Sequence, residues 1–516
     1  MSRASRHGVP RRTRARRGAV AAKALASAVT LIAILAVFLA MVVTVPLPGL
    51  VDGSPVRQAH TVAVSQTTLQ SVCPARMQLA DTGSYGDSAY RVSEGDVTGQ
   101  VRFSAFGSLY DATISGIDGG QEQKTADVDT TQSAKAFIHT AGAGKSSLLD
   151  TTRVLESSAG SGSASSMASW ATKGDLRGVA AAECVTPQLT QSLLLPSTQT
   201  GWTQQLVISN PTDKATAVSI AAWGTKDDKP IALSTDSKVT VQARGESVVN
   251  LSAAAPSQDG LFVTLSSETT QVTAVARIVH MDGLVDRGSD FSVPVDVPAK
   301  TLVLAGISGG TDVNVFGFSE TSGRITIEWM TKSGVRQAKT MDLTANRVRS
   351  LDLGKAPADA TAVRIRAGMD TYATAMCTDK GLDQSDFSLV SSRRPQRSSA
   401  IAVPDGTTMA FALANTSDRK TTVTLTGYGK DGDQEGQKEI TLDAGRAVSV
   451  PMTDVVKNGV AAVRLDDADA AVAWGGTVGV NAVSKAKVKG VASIGAVSLM
   501  PVKTMIRSGQ ARDIVH

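Results

Sequence analysis

From about residue 188 to residue 505 the chain alternates apolar and polar residues with period 2. The runs are short and rich in Val, Ile and Thr, with Gly, Asn and Asp between them. Such alternation places every second side chain on one face of a half-buried strand. The pattern is also repeated. One copy holds Leu206-Val-Ile-Ser-Asn-Pro-Thr-Asp213 and then Ala217-Val-Ser-Ile-Ala-Ala-Trp-Gly224; another holds Phe411-Ala-Leu-Ala-Asn-Thr-Ser-Asp418 and then Thr422-Val-Thr-Leu-Thr-Gly-Tyr-Gly429. Asn210 aligns with Asn415, Asp213 with Asp418 and Trp223 with Tyr428. A middle copy keeps Ile325-Thr-Ile-Glu-Trp329. Each copy continues into a strand and turn, Val241-Gln-Ala-Arg-Gly245, Leu343-Thr-Ala-Asn-Arg347 and Leu442-Asp-Ala-Gly-Arg446. The first two close on Ser289-Asp-Phe-Ser-Val293 and Ser385-Asp-Phe-Ser-Leu389.

About seven short strands in roughly 100 residues suits an immunoglobulin-like β-sandwich. The segments at Asn210 and Asn415 read as hairpin turns, in which Asn tolerates positive φ and bonds its own backbone. Trp223, Trp329 and Tyr428 read as core or edge aromatics. Only 4% of the chain is aromatic, which argues against a dense sugar-stacking face.

Upstream, residues 61–186 are rich in Gly, Ser, Ala and Thr, with β-like runs at 61–64, 100–104, 134–139 and 176–185. The Ser/Gly run at 157–166 reads as a long flexible loop. The predicted fold is all-β: tandem immunoglobulin-like sandwich repeats plus an N-terminal β-rich domain, preceded by one transmembrane helix. The expected layout is a basic cytoplasmic tail (1–23), a transmembrane signal-anchor helix (24–45), a linker (46–60), the Ser/Gly-rich β domain (61–186), three repeats (187–297, 298–395 and 396–505) and a C-terminal tail (506–516). The domains are expected to string out as a rod.

The anchor rests on 22 uncharged residues, 24–45, behind Arg3, Arg6, Arg11, Arg12, Arg14, Arg16, Arg17 and Lys23; the first acid is Asp52. At ~1.5 Å per residue, ~20 residues cross a ~30 Å hydrocarbon core. Cationic flanks stay in the cytoplasm, so the bulk of the chain is expected outside the cell membrane. The apolar run exceeds the ~7–15 residues of a cleaved signal peptide, and Pro46-Leu-Pro-Gly-Leu50 offers no small-residue cleavage site. Eight of the 52 cations lie in the tail. The remainder has 44 Lys and Arg against 47 Asp and Glu, a net of −3. The +5 overall charge thus implies no basic face for nucleic acid.

Three cysteines occur, so at most one intrachain bridge forms. Cys73 and Cys184 bracket one region and are the disulfide candidate, leaving Cys377. No Cys or His spacing suggests a metal site. Gly306-Ile-Ser-Gly-Gly310 fits the letters of a nucleophile elbow, but a strand-like run follows it where a helix is needed. Ala143-Gly-Lys-Ser146 resembles a phosphate loop with His139 in place of its first glycine. Asp431-Gly-Asp-Gln-Glu-Gly436 opens like a calcium loop but has Leu442 at the position of the bidentate acid. His60, His139, His280 and His516 are far apart. No catalytic residue, cofactor or metal is expected.

Cys73-Pro74, Glu183-Cys-Val-Thr-Pro187 and copies built on L-x-x-x-N-x-x-D-x-x-x-x-V, then V-x-A-x-G, resemble a large uncharacterised family of actinobacterial membrane-anchored envelope proteins. The chain departs from that pattern before its first repeat, where Gly201-Trp202 is the nearest remnant of an aromatic-Gly stretch. The resemblance implies a role in cell-envelope assembly, by association with membrane glycosyltransferases, and supplies no catalytic residues. The expected function is non-catalytic: binding or scaffolding outside the membrane, with an envelope protein or cell-wall glycan as partner. One alternative is an adhesin-like glycan-binding protein, which a cluster of Trp170, Trp202 and Trp223 would favour. Another is an envelope hydrolase with its site in residues 61–186, built from convergent acids or His139.

Overall fold

The computed structural model describes residues 35–37, 60–81, 92–120, 123–124, 135–457 and 459–508. The predicted tail, most of the predicted anchor and residues 509–516 lie outside these. Leu35, Ala36 and Val37 are helical. Among the described residues no helix is long and apolar enough to cross a membrane. The chain divides into two compact units. The smaller comprises residues 1–64 and 504–516. The run at 61–64 belongs to strand His60–Ser65, which pairs with strand Lys503–Ser508 from the far end of the sequence.

The larger unit, residues 65–503, is all-β with several sheets. Its first domain has two. One orders the strands Thr68–Cys73, Leu148–Val154, Leu109–Gly116 and Gln123–Lys124. The other orders Gly178–Glu183, Ser166–Ala171, Thr98–Phe106 and Phe137–Gly142, with Gly162–Ser163 beside Thr98–Phe106. Met77, Val101, Phe103, Ile114 and Met167 fill the core. Cys73 and Cys184 are joined by a disulfide. Beside it, Val72 and Val185 exchange backbone hydrogen bonds at 2.8 and 2.9 Å.

The Ser/Gly run at 157–166 is not a loose loop. Ser161, Ala164, Ser165 and Ser166 are buried. The Gly160 N–H donates to the Leu499 carbonyl at 2.9 Å, and Ser166 Oγ donates to the Ala402 carbonyl at 2.6 Å. Small side chains there let another domain's backbone approach; composition alone resembles a linker because both uses select Ser and Gly.

Three two-sheet repeats follow, and their strand orders match. In the first, Thr190–Leu195, Leu261–Ser267, Thr216–Trp223 and Lys238–Val241 face Gly245–Asn250, Trp202–Asn210, Thr273–Asp282 and Val285–Ser292. In the second, one strand, Ala360–Asp379, is long enough to serve both sheets. Its first half lies between Ala299–Ala305 and Gly323–Thr331. Its second half lies between Asp312–Phe318 and Asp386–Ser391. The third orders Ser398–Ala402, Ala462–Asp466, Thr421–Tyr428 and Gln434–Leu442 against Ala447–Pro451, Thr407–Asn415, Val472–Val480 and Ala492–Gly495. Alternation points Leu206 and Ile208, or Phe411 and Leu413, into the gap between sheets. Each such side chain contributes about 1.5–3 kcal/mol by leaving water.

Asn210 and Asn415 are neither exposed nor at positive φ. Each is fully buried and spends its whole side chain. Asn210 Nδ2 donates to the carbonyls of Lys214 and Gln242 at 2.8 and 3.1 Å, and its Oδ1 accepts the Thr212 N–H at 3.1 Å. Asn415 repeats this with Arg419, Asp443 and Ser417. The positive φ falls instead on the aligned turn residues Arg244 (50°), Asn346 (58°) and Gly445 (67°).

The domains close into a ring; they do not form a rod. Phe262 of the first repeat stacks on Phe318 of the second at 3.9 Å. Val303 and Met330 of the second meet Ala412 and Ala473 of the third. Tyr428 and Leu499 of the third meet Phe106 and Ala164 of the N-terminal domain. Val275 and Phe291 of the first repeat share the N-terminal domain's core. A rod needs polar flanks on each sandwich. The small and aromatic residues on these flanks instead bury apolar area at every seam.

Candidate functional site

One late strand from each domain lies on a common axis. Gly178–Glu183 packs against Val285–Ser292 and Ala492–Gly495, and Asp386–Ser391 packs against the same two. These strands run in one direction but do not share a backbone ladder. Buried carboxylates bridge them. Asp386 Oδ2 accepts the N–H groups of Val179 (2.9 Å) and Val491 (3.0 Å). Two residues further along, Asp290 accepts from Ala181 (3.0 Å) and Leu389 (2.7 Å). Two further still, Glu183 accepts from Gly495 (3.0 Å) and from the Arg393 guanidinium. Gln384 ties three domains together, donating to the carbonyls of Arg177 and Lys489 at 3.2 and 3.1 Å. Around Asp386 two glycines are required. A Cβ at Gly178 (φ 130°) would lie 2.6 Å from the Asp386 carboxylate carbon, and one at Gly288 (φ 113°) 2.7 Å from its Cα.

Burial pushes the carboxyls of Asp290 and Asp386 well above the usual range, and that of Asp286, beside them, to about 7. Burial also pushes Arg393 down to about 10. The enclosed cavity at this axis is about 20 Å³, lined in part by Glu183, Arg393 and the unpartnered Ser493. That volume suits a single water. The chemistry of this axis is therefore assembly. The paired Ser-Asp-Phe-Ser motifs were legible in the sequence, but their partners, 97 to 207 positions away, were not.

The sequence candidates lie apart. Gly306–Gly310 is a turn between strands Ala299–Ala305 and Asp312–Phe318, with the N–H groups of Gly306 and Ile307 both on the Thr361 carbonyl. No helix follows, so Ser308 is not set on a nucleophile elbow. Residues 143–146 form a loop whose Gly144 carbonyl accepts the Arg76 N–H and whose Lys145 pairs with Glu94. Residues 431–436 sit at a seam, where the Gly432 carbonyl accepts the Ala136 N–H at 2.9 Å and Asp433 pairs with Lys135. Among the described residues no group of three His, Cys, Asp or Glu is placed to hold a metal.

In the N-terminal domain His139 packs beside Phe103; burial and the charge of Arg102 lower its pKa. Sequence reasoning missed Asp150, which lies fully buried with hydroxyl donors from Thr152, Ser165 and Ser71; burial raises it to about 6. Cys377 is buried in the second repeat, its thiol pushed up to about 11. The tryptophans do not cluster. Trp202 stacks on His280 at 4.0 Å, Trp223 lies beside the stacked Phe262 and Phe318, 6.0 Å from each, and Trp170 packs on the third repeat's core. His516 lies outside the described residues.

A second polar feature is a cavity of about 210 Å³ where both inter-repeat linkers cross the strand Ala299–Ala305. Asp296, Thr301, Ser392, Arg393, Arg394 and Thr416 line it. The Arg394 N–H donates to Asp296 at 2.8 Å.

No curated protein matches the chain. A family model described as "Family of unknown function (DUF5719)" matches residues 140–453, a span that takes in three of the four axial strands. The chain is a member of that family of unknown function.

Proposed function

We propose that this is a single-pass membrane-anchored extracytoplasmic protein that binds or scaffolds components of cell-envelope assembly, without catalysis of its own. On this reading each repeat is an immunoglobulin-like sandwich, and the family is that of the actinobacterial envelope proteins its motifs resemble. The carboxylate axis carries the proposal. Four domains locked at their centres hold their outer loops and sheet faces in fixed relation, which suits presentation of several surfaces to partners. The basic segment and apolar run at 1–45 supply the anchor. An accessory role beside a membrane glycosyltransferase is the narrower form of the reading. The glycan-binding alternative draws no support from Trp170, Trp202 and Trp223, which lie in separate clusters.

The test is in-cell crosslinking of the full-length protein, followed by purification and mass spectrometry of proteins and glycans. Recovery of a polytopic envelope enzyme, lost when residues 65–503 are deleted, is the expected result. Wall glycan recovered without any protein partner overturns it in favour of the adhesin reading.

A further inference from the structure

On the outer face of one sheet of the second repeat, the cross-strand neighbours Thr301, Arg366, Thr326 and Thr340 form a single row over four strands. At about 4.8 Å per strand the row is roughly 14 Å long. Thr301, Arg366 and Thr340 are exposed. Two other arginines on this face are neutralised, Arg324 by Asp342 and Arg364 by Glu328, both at 2.7 Å. Arg366 has no ion pair among the described residues.

Thr301 also lines the 210 Å³ cavity, so row and cavity are continuous. Inside it, Ser392 is 2% exposed and its Oγ has no hydrogen-bond partner. A buried hydroxyl left unmatched is costly, and a ligand atom would relieve that cost. Arg393 already spends its guanidinium on Glu183, the Pro294 carbonyl and Asp296, 3.8 Å away, whereas Arg394, which also lines the cavity, has no ion pair among the described residues. Asp296 is the one carboxylate on the cavity lining, set against the two arginines Arg393 and Arg394.

We propose that the cavity and the row form one binding site for an oxyanion, a phosphate or a carboxylate, carried on an extended hydroxylated chain. Guanidinium groups of Arg394 and Arg366 match such oxyanions in forked geometry. Threonine hydroxyls both donate and accept, which suits a polyol. The cavity is smaller than the ~300 Å³ at which whole-ligand pockets begin. It therefore takes one charged group, and the rest of the chain lies along the row. The site does not depend on where the protein is located.

The test titrates the full-length protein with glycerol 3-phosphate, glucuronate and glucose at low salt. One of the two anions binds, and which one distinguishes phosphate from carboxylate. Arg394→Gln and Arg366→Gln each weaken it about tenfold, the loss of one charge-assisted contact, and Ser392→Ala weakens it about fivefold. Arg324→Gln, on the same face but ion-paired, changes it less than about twofold. The proposal is overturned if neither anion binds, if glucose binds as tightly, or if Arg324→Gln costs as much as Arg366→Gln.

Discussion

Asp386 Oδ2 accepts the Val179 backbone N–H at 2.9 Å, across 207 positions of sequence. The same oxygen holds Val491 of the third repeat. One side chain of the second repeat thus fixes the domain before the repeats and the repeat after its own. Replacing it leaves the buried N–H groups of Val179 and Val491 without acceptors, at about 1–3 kcal/mol each, and removes the longer, 3.4 Å bond from the Ser289 N–H. Asp386→Ala is expected to destabilise the chain by roughly 2–5 kcal/mol in urea unfolding. A loss under about 1 kcal/mol would mean that water replaces the carboxylate.

Gly288 makes an independent test of the same junction. Its φ is positive, and a methyl group would meet Asp386 backbone. Gly288→Ala is expected to cost more than about 2 kcal/mol, whereas Gly334→Ala, also at positive φ but with open space around its Cβ, should cost about 1. Equal losses would show that φ strain alone decides both.

The disulfide closes a separation of 111 residues. Loop-closure entropy for such a span implies about 4–5 kcal/mol, on the chain-entropy view. The Cys73→Ala, Cys184→Ala double variant should lose about that much in denaturant titration. Cys377, buried with its thiol at about 11, should resist alkylation in the native protein and react only on unfolding. Fast native labelling would show that the second repeat opens.

Asp286 and Asp150 titrate at about 7 and about 6 in the folded chain, against an ordinary 3.8, because burial disfavours their carboxylates. Between pH 3.8 and 7 the folded state holds protons that the unfolded chain has released. The stability they contribute is complete below 3.8 and is lost as pH rises through 6 to 7. Melting temperature is expected to fall between about pH 4.5 and 7.5, and Asp286→Asn to flatten that slope. A rise across the window would contradict this.

Much of the individual domains is legible in the sequence, because strand alternation and turns are local. Leu206 and Ile208 announce a strand face, and the aligned Asn210 and Asn415 announce a repeat. Their role as buried staples is less legible, since a turn asparagine and a buried one look alike on paper. The ring is illegible for a different reason. Whether Ala412, Ala414 and Ala473 line a core or a seam depends on which surface meets them, and alternation carries no such information. The Ser/Gly run misled in the same way. Arg366 and Ser392 were unremarkable in sequence; only cross-strand register and burial bring them to one site.

Native-state hydrogen exchange read by mass spectrometry tests the central claim most directly, that the four domains are one body locked along the axis. Peptides from Gly178–Glu183, Val285–Ser292, Asp386–Ser391 and Ala492–Gly495 should exchange with one common opening free energy, the highest in the molecule, and Asp386→Ala should lower all four together. Four different free energies, with only the second repeat responding to Asp386→Ala, would mean that the domains open independently and that the lock does not exist.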